Sequence, residues 1–272
     1  MDFAIEPLAE DALLLRFGDG IDVETNARVH AAARALRDAK LPGIIDIAPA
    51  YATLLLRFDP DTWCSPTEAS PFTRIIPQLQ FLIGSVVGEP PRPPGEGARR
   101  AGEGSASSAH AEPSPLPLSR RERGSYGPSA CPNLVEIPVC YGGECGSDID
   151  AVAEHTRLSR EEIIARHAAA EYTVAMLGFA SGFPYLLGLD PTLHVPRRAN
   201  PRTRVPAGSV AIGGAQTGIY PRELPGGWHL IGRTPLVLFD PEREPPCLLA
   251  AGDRVRFRAI DADEFARLSE HA

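Results

Sequence analysis

The chain has 272 residues, long enough for two domains or one large one, and 43% of them are hydrophobic, enough for a sizeable core. Its net charge of −8 and the lack of a basic stripe argue against a nucleic-acid partner. The acidic start lacks the positive region of a signal peptide, and no apolar run reaches the length of a membrane span. A soluble, cytoplasmic protein with no membrane contact is expected.

Residues 3–8 and 12–17 (Ala-Leu-Leu-Leu-Arg-Phe) read as two short strands. Asp22 is placed to cap a helix running to Lys40, with Val23, Ala27, Ala31, Ala35 and Leu36 near helical spacing and Pro42-Gly43 stopping it. Residues 44–47 and 51–58 follow as a hairpin, and a second helix spans about residues 67–85, kinked near Pro71 and Pro77. The order ββαββα predicts an α+β layer with helices on one face of an antiparallel sheet.

Residues 88–132 differ from this pattern, with nine prolines, seven glycines and seven serines. So few large apolar side chains cannot offset ordering entropy, so a disordered linker is expected between domains at 1–87 and 133–272. Its basic run, Arg120-Arg-Glu-Arg123, reads as part of a solvated linker rather than a nucleic-acid contact.

Residues 135–141 resume as a strand, and a helix starts near Ser147 or Asp148. Ser159 and Glu162 have the spacing of a capping box for the next helix, whose apolar face holds Ile163, Ile164 and His167. Strands at 172–177, 209–213, 218–220, 228–232, 236–239 and 254–260 are separated by turn signals, the pattern of a closed or nearly closed β-barrel. A short helix from Asp261 ends the chain.

Of the 27 basic residues only Lys40 is lysine, so the barrel half has none. That removes a phosphate-loop lysine, a biotinyl-lysine, a Schiff base and a Ser-Lys amidase. The five cysteines, Cys64, Cys131, Cys140, Cys145 and Cys247, form no C-x-x-C and lack a second zinc-type pair. They read as small buried thiols, with no metal site.

Gly213-Gly-Ala-Gln-Thr-Gly218 resembles a phosphate loop but lacks its lysine and its helix, so Gln216 and Thr217 read better as contacts to a small polar ligand. Arg197, Arg198, Arg202 and Arg204, with Arg233 in a later turn, suit an anion, because guanidinium groups grip carboxylates and phosphates bidentately. Paired with acids instead, the same arginines would be purely structural.

Tyr141-Gly-Gly-Glu144, Arg166-His167, Met176-Leu-Gly-Phe-Ala-Ser-Gly-Phe-Pro-Tyr-Leu186, Pro196-Arg-Arg198, Arg202-Thr-Arg-Val-Pro-Ala-Gly-Ser-Val210, Gly214-Ala-Gln-Thr-Gly-Ile-Tyr-Pro221 and Pro225-Gly-Gly-Trp-His-Leu-Ile-Gly-Arg-Thr-Pro235 carry a resemblance. They are similar to the family of 5-oxoprolinase B subunits, also called allophanate hydrolase subunit 1 or the sporulation-kinase-inhibitor family. The likeness is close over residues 134–258 and loose over 1–87. Ser181, Leu187 and Cys145 depart from it, standing where the family usually has proline, glycine and an aromatic residue.

The resemblance implies a ferredoxin-like N-terminal domain followed by a cyclophilin-like β-barrel. It also implies a subunit of an ATP-dependent enzyme, using magnesium, that opens 5-oxoproline to glutamate. The chain would work with companion 5-oxoprolinase subunits of the C and A types and be inactive without them. Phosphate placed on the lactam oxygen would make a poor electrophile reactive, and arginines would stabilise the charge that develops. On this basis His167, Arg204 and Gln216 are the candidate catalytic residues, His167 as an acid/base or orienting group. Arg202, Arg204 and Arg233 are candidate anion contacts, and Gln216, Thr217 and Tyr220 candidate pocket residues. Other readings are a regulatory module inhibiting a sensor histidine kinase, a carboxyltransferase-like module related to urea carboxylase and, on the barrel alone, a peptidyl-prolyl isomerase.

Overall fold

A computed structural model describes residues 3–64, 70–87 and 133–270. The expected linker at 88–132 and the first residues of the expected second helix lie outside the described residues.

The N-terminal layer begins with strands β1 (Ala4–Ala9) and β2 (Ala12–Arg16), followed by helix α1 (Val23–Ala39). The Asp22 carboxylate accepts the Thr25 N–H at 2.7 Å, satisfying one of the orphan donors of the first turn. Lys40 closes the helix in the left-handed conformation. Strands β3 (Ile44–Pro49) and β4 (Thr53–Phe58) form the expected hairpin. A short helix α2 (Pro60–Trp63), capped by Asp59, went unforeseen, and α3 (Phe72–Val87) follows. Helix α3 runs on through Pro77, because Ile75, Leu79 and Ile83 anchor it in the core on both sides of the missing N–H.

The four strands pair antiparallel in the order β1-β2-β4-β3. Leu54, Leu56 and Phe58 alternate along β4 and point with Leu13 and Leu15 toward Val29, Ala32, Ala33 and Leu36 of α1. The expected layer of helices on one face of an antiparallel sheet is therefore present.

The second half contains β5 (Leu134–Tyr141), α4 (Ile149–Thr156), α5 (Arg160–Ala169), β6 (Glu171–Leu177) and β7 (Pro184–Leu187). Strands β8 (Arg202–Val205), β9 (Ser209–Gly213), β10 (Gln216–Ile219), β11 (Leu224–Gly226), β12 (His229–Arg233) and β13 (Arg254–Ile260) follow, and α6 (Ala262–Ser269) ends the chain. Seven strands close into a barrel in the order β10-β7-β6-β13-β5-β12-β9, while β8 and β11 make a separate ribbon. Inward side chains alternate along the staves: Ile137 and Val139, Tyr172 and Val174, Val210 and Ile212, Val255 and Phe257.

Residues 236–239 were expected to form a strand but contribute a single bridge, Phe239 to Cys247, because the surrounding prolines interrupt ladder pairing. Strands β7, β8 and β11 went unread, being only three or four residues long and set among glycines and prolines. The Ser159–Glu162 capping box is present. The cysteine expectation needs correcting. Only Cys140 is buried; Cys145 and Cys247 are partly exposed and Cys64 is exposed, while Cys131 lies outside the described residues.

The two halves dock directly. Asn26 of α1 donates its amide to the carbonyls of Ala50 at 3.0 Å, Tyr51 at 3.1 Å and, across the junction, Ala175 at 3.4 Å. Tyr51 meets Tyr185 of β7 edge-on, with ring centroids 5.9 Å apart. These contacts set the Tyr51 loop against the barrel wall beside β10. Among the described residues no helix is long and apolar enough to cross a membrane.

Candidate functional site

His167 lies wholly inside the barrel half, on the buried face of α5, with its ring stacked on Phe257 at 4.5 Å. Its Nδ1 is 2.8 Å from the Tyr141 hydroxyl and its Nε2 is 3.0 Å from Thr217 Oγ1. Thr217 gives its single hydroxyl proton to the Ala211 carbonyl at 3.0 Å. Its oxygen must therefore accept from His167, which assigns the proton to Nε2 and leaves Nδ1 to accept from Tyr141. Burial disfavours the imidazolium and lowers the pKa of His167 to about 3. The histidine is thus a neutral clamp on β10. Its geometry suits an orienting group, and Gln216 is the next residue along the strand it holds.

The arginines divide by what they touch. Arg202 and Arg198 converge on Asp148, whose carboxylate also accepts the Leu230 N–H at 2.8 Å. Burial raises the Asp148 pKa, but the Arg202 hydrogen bonds and the Leu230 N–H outweigh it and leave the pKa lowered. Asp148 stands at the N-cap of α4 but makes no side-chain cap bond, its oxygens being committed to the two guanidinium groups. Arg202 was expected as an anion contact; its charge is neutralised internally instead.

Arg204 is 81% exposed, with Glu223 3.5 Å away, on the outer ribbon. Arg233 directs Nε to the Ala207 carbonyl at 2.9 Å. Tyr220, expected to line a pocket, is packed against Phe183 and only 2% exposed. The candidate residues thus make different contacts. Thr217 and His167 bond one another beside Gln216, Arg202 belongs to the Asp148 cluster, and Arg204 and Arg233 meet Glu223 and the Ala207 carbonyl.

A different cluster emerges at the junction of the halves. Trp228 is flanked by Tyr185 at 5.9 Å and Phe183 at 5.8 Å, and the Arg197 guanidinium lies over its ring at 5.8 Å. Gly213 makes room for this indole: a Cβ there would stand 2.5 Å from the ring. The glycines of the 213–218 stretch thus serve a β9–β10 turn and close packing on Trp228, not a phosphate cradle.

Gln216 (9% exposed) lies beside the Tyr51 hydroxyl, which is buried without closing a hydrogen bond of good geometry. Burial pushes the Tyr51 pKa up. Tyr51 and Tyr185 were not among the expected site residues, whereas Arg197 was expected within the anion-binding arginine cluster. Tyr51 comes from the other half of the chain, and no local motif marks it.

The glycine-rich stretch after β6 turns at Phe179, a non-glycine residue with φ of 67° that is 61% exposed. It borders an open hollow of about 500 Å³ with Leu177, Gly182, Phe239 and Cys247. Among the described residues no group of three or more His, Cys, Asp or Glu side chains could hold a metal ion.

A small α+β layer docked on a closed seven-stranded barrel fits the class described as carboxyltransferase domain, subdomain C and D, whose family model matches residues 3–81 and 118–249. The chain is 38% identical over 270 residues to the 5-oxoprolinase B subunit of Bacillus subtilis (strain 168), covering 99% of this chain and 98% of that protein. It is 58% identical over 124 residues to the 5-oxoprolinase B subunit of Escherichia coli O157:H7, covering 46% of this chain and 57% of that one. The crystal structure of TTHA0988 matches with a TM-score of 0.66 and 35% identity over 93% of this chain, which spans only 40% of that longer chain. Urea amidolyase of K. lactis shares the fold at a TM-score of 0.62 and 16% identity, covering 98% of this chain and 15% of that one. The chain belongs to the carboxyltransferase-domain subdomain C and D family, among the 5-oxoprolinase B subunits.

Proposed function

We propose that this chain is the B subunit of an ATP-dependent 5-oxoprolinase, opening 5-oxo-L-proline to L-glutamate together with subunits of the C and A types. The supporting observation is its 38% identity to a protein of that name along nearly the whole of both chains. The N-terminal layer is read as ferredoxin-like and the barrel as cyclophilin-like, and the protein as cytoplasmic and inactive without its partners.

The lysine-free half and the packing role of its glycines make a poor nucleotide pocket on their own. ATP and its magnesium are accordingly assigned to a site shared with a partner chain. Gln216, at the junction of the halves, is assigned to the lactam. His167 and Thr217 hold the strand that carries it. Arg204 is 81% exposed, with a 3.5 Å contact to Glu223, so it is available to a partner surface or to an anion presented by one.

The test is purification of the assembled complex, with glutamate formation from 5-oxo-L-proline measured with and without ATP. Gln216→Ala and Arg204→Ala should abolish ATP-coupled ring opening and leave the fold intact. Wild-type turnover in both variants would remove these residues from the site, and a wild-type complex that makes no glutamate would overturn the reading itself.

A further inference from the structure

We propose that Arg197, Tyr51 and Gln216 form one binding site at the junction between the N-terminal layer and the barrel, taking a small cyclic amide that carries a carboxylate. The choice of ligand rests on the 5-oxoprolinase reading; the site itself rests on the geometry.

Arg197 differs from its neighbours in the cluster. Arg198 and Arg202 are bound to Asp148 and Arg204 faces Glu223, whereas among the described residues no carboxylate pairs with Arg197. It is exposed, and its guanidinium is held over Trp228 at 5.8 Å. A guanidinium lying on an aromatic face keeps its in-plane N–H fork available, and that fork matches a carboxylate.

Tyr51 meets Tyr185 edge-on, Tyr185 meets Trp228, and Arg197 lies over Trp228, so these four side chains form one contiguous cluster. Tyr51 contributes a buried hydroxyl that closes no hydrogen bond of good geometry, a condition that buried polar groups rarely tolerate without a role. Gln216 sets an amide, donor and acceptor together, beside that hydroxyl. A lactam ring has a complementary N–H and C=O, and the rings of Tyr51, Tyr185 and Trp228 supply apolar walls. The carboxylate would then lie on Arg197 and the ring amide on Tyr51 and Gln216. Both halves of the chain contribute, so ligand affinity depends on their docking.

The full chain, alone and assembled with its partner subunits, is titrated with 5-oxo-L-proline, with 2-pyrrolidinone (the same ring without the carboxylate) and with acetate. Trp228 fluorescence reports binding, because the other tryptophan, Trp63, lies in the core of the N-terminal layer. Arg197→Gln should weaken 5-oxo-L-proline by about 10- to 100-fold and leave 2-pyrrolidinone unchanged, the loss expected for a charge-assisted contact. Tyr51→Phe keeps the ring contact with Tyr185 and should weaken both ring compounds by about 3- to 10-fold. In the active complex these losses should fall mainly on KM.

Equal affinity of wild type and Arg197→Gln for 5-oxo-L-proline overturns the proposal, as does a Trp228 signal that no carboxylate changes in either form. A complex that makes no glutamate yet binds carboxylates through Arg197 overturns the functional reading and leaves the site standing.

Discussion

Arg202 grips Asp148 with both terminal nitrogens, each 2.7 Å from a carboxylate oxygen. The pair ties the β8 ribbon to the start of α4, and through the Leu230 N–H to the barrel stave β12. A residue that reads as a ligand contact is thereby a structural brace.

Asp148→Asn should accordingly destabilise the fold. Breaking a buried ion pair costs about 3–5 kcal/mol. Here Arg198 and Arg202 keep 30% and 25% of their side-chain surface exposed and can recover some hydration, which trims the expected loss to about 2–3 kcal/mol. Urea unfolding of the full chain checks this. A midpoint equal to wild type would mean the cluster braces nothing.

Thr217→Val keeps the shape of the side chain and removes the acceptor of the His167 proton. The Nε2–H would be left unpaired at a residue with no solvent exposure, costing about 1–3 kcal/mol. Thr217→Ser retains the oxygen and should recover most of that loss. Thermal unfolding of both variants separates the hydrogen bond from packing, because valine preserves the volume and serine the hydroxyl.

Acid should weaken the protein before its carboxylates titrate fully. Burial lowers the pKa of His167 from 6.5 to about 3 and, with help from Arg34, that of His30 from 6.5 to about 4. Unfolding returns both to ordinary values, so below pH 6.5 the unfolded chain binds protons that the fold refuses. The stability these neutral histidines contribute is complete above that pH and declines as the pH falls toward the folded values. At about pH 5 the loss comes to about 2 kcal/mol for each histidine. Urea unfolding at about pH 7 and about pH 5 measures it, and equal midpoints would contradict the burial argument.

Much of the local structure was legible beforehand because its causes are local. Asp22 and Thr25, or Ser159 and Glu162, lie within one helical turn, so the cap and the capping box follow from spacing alone. Alternating apolar residues marked the longer strands, since each side of a strand faces one environment. The short strands β7, β8 and β11 escaped because pairing with neighbours, rather than composition, defines them.

The sequence by itself determined the α+β order of the first half, the barrel of the second, the caps of α1 and α5 and the family likeness. Only the tertiary structure decided which arginine is neutralised and which is free. Arg202 reaches across to Asp148, whereas Arg197, in the same short stretch, lies over Trp228 with no acid among the described residues beside it. It also decided that Tyr51 joins Gln216, and that His167 is a neutral clamp in the core. The reason is that charge neutralisation and desolvation depend on through-space neighbours, and chain closure brings together groups that no spacing along the sequence connects.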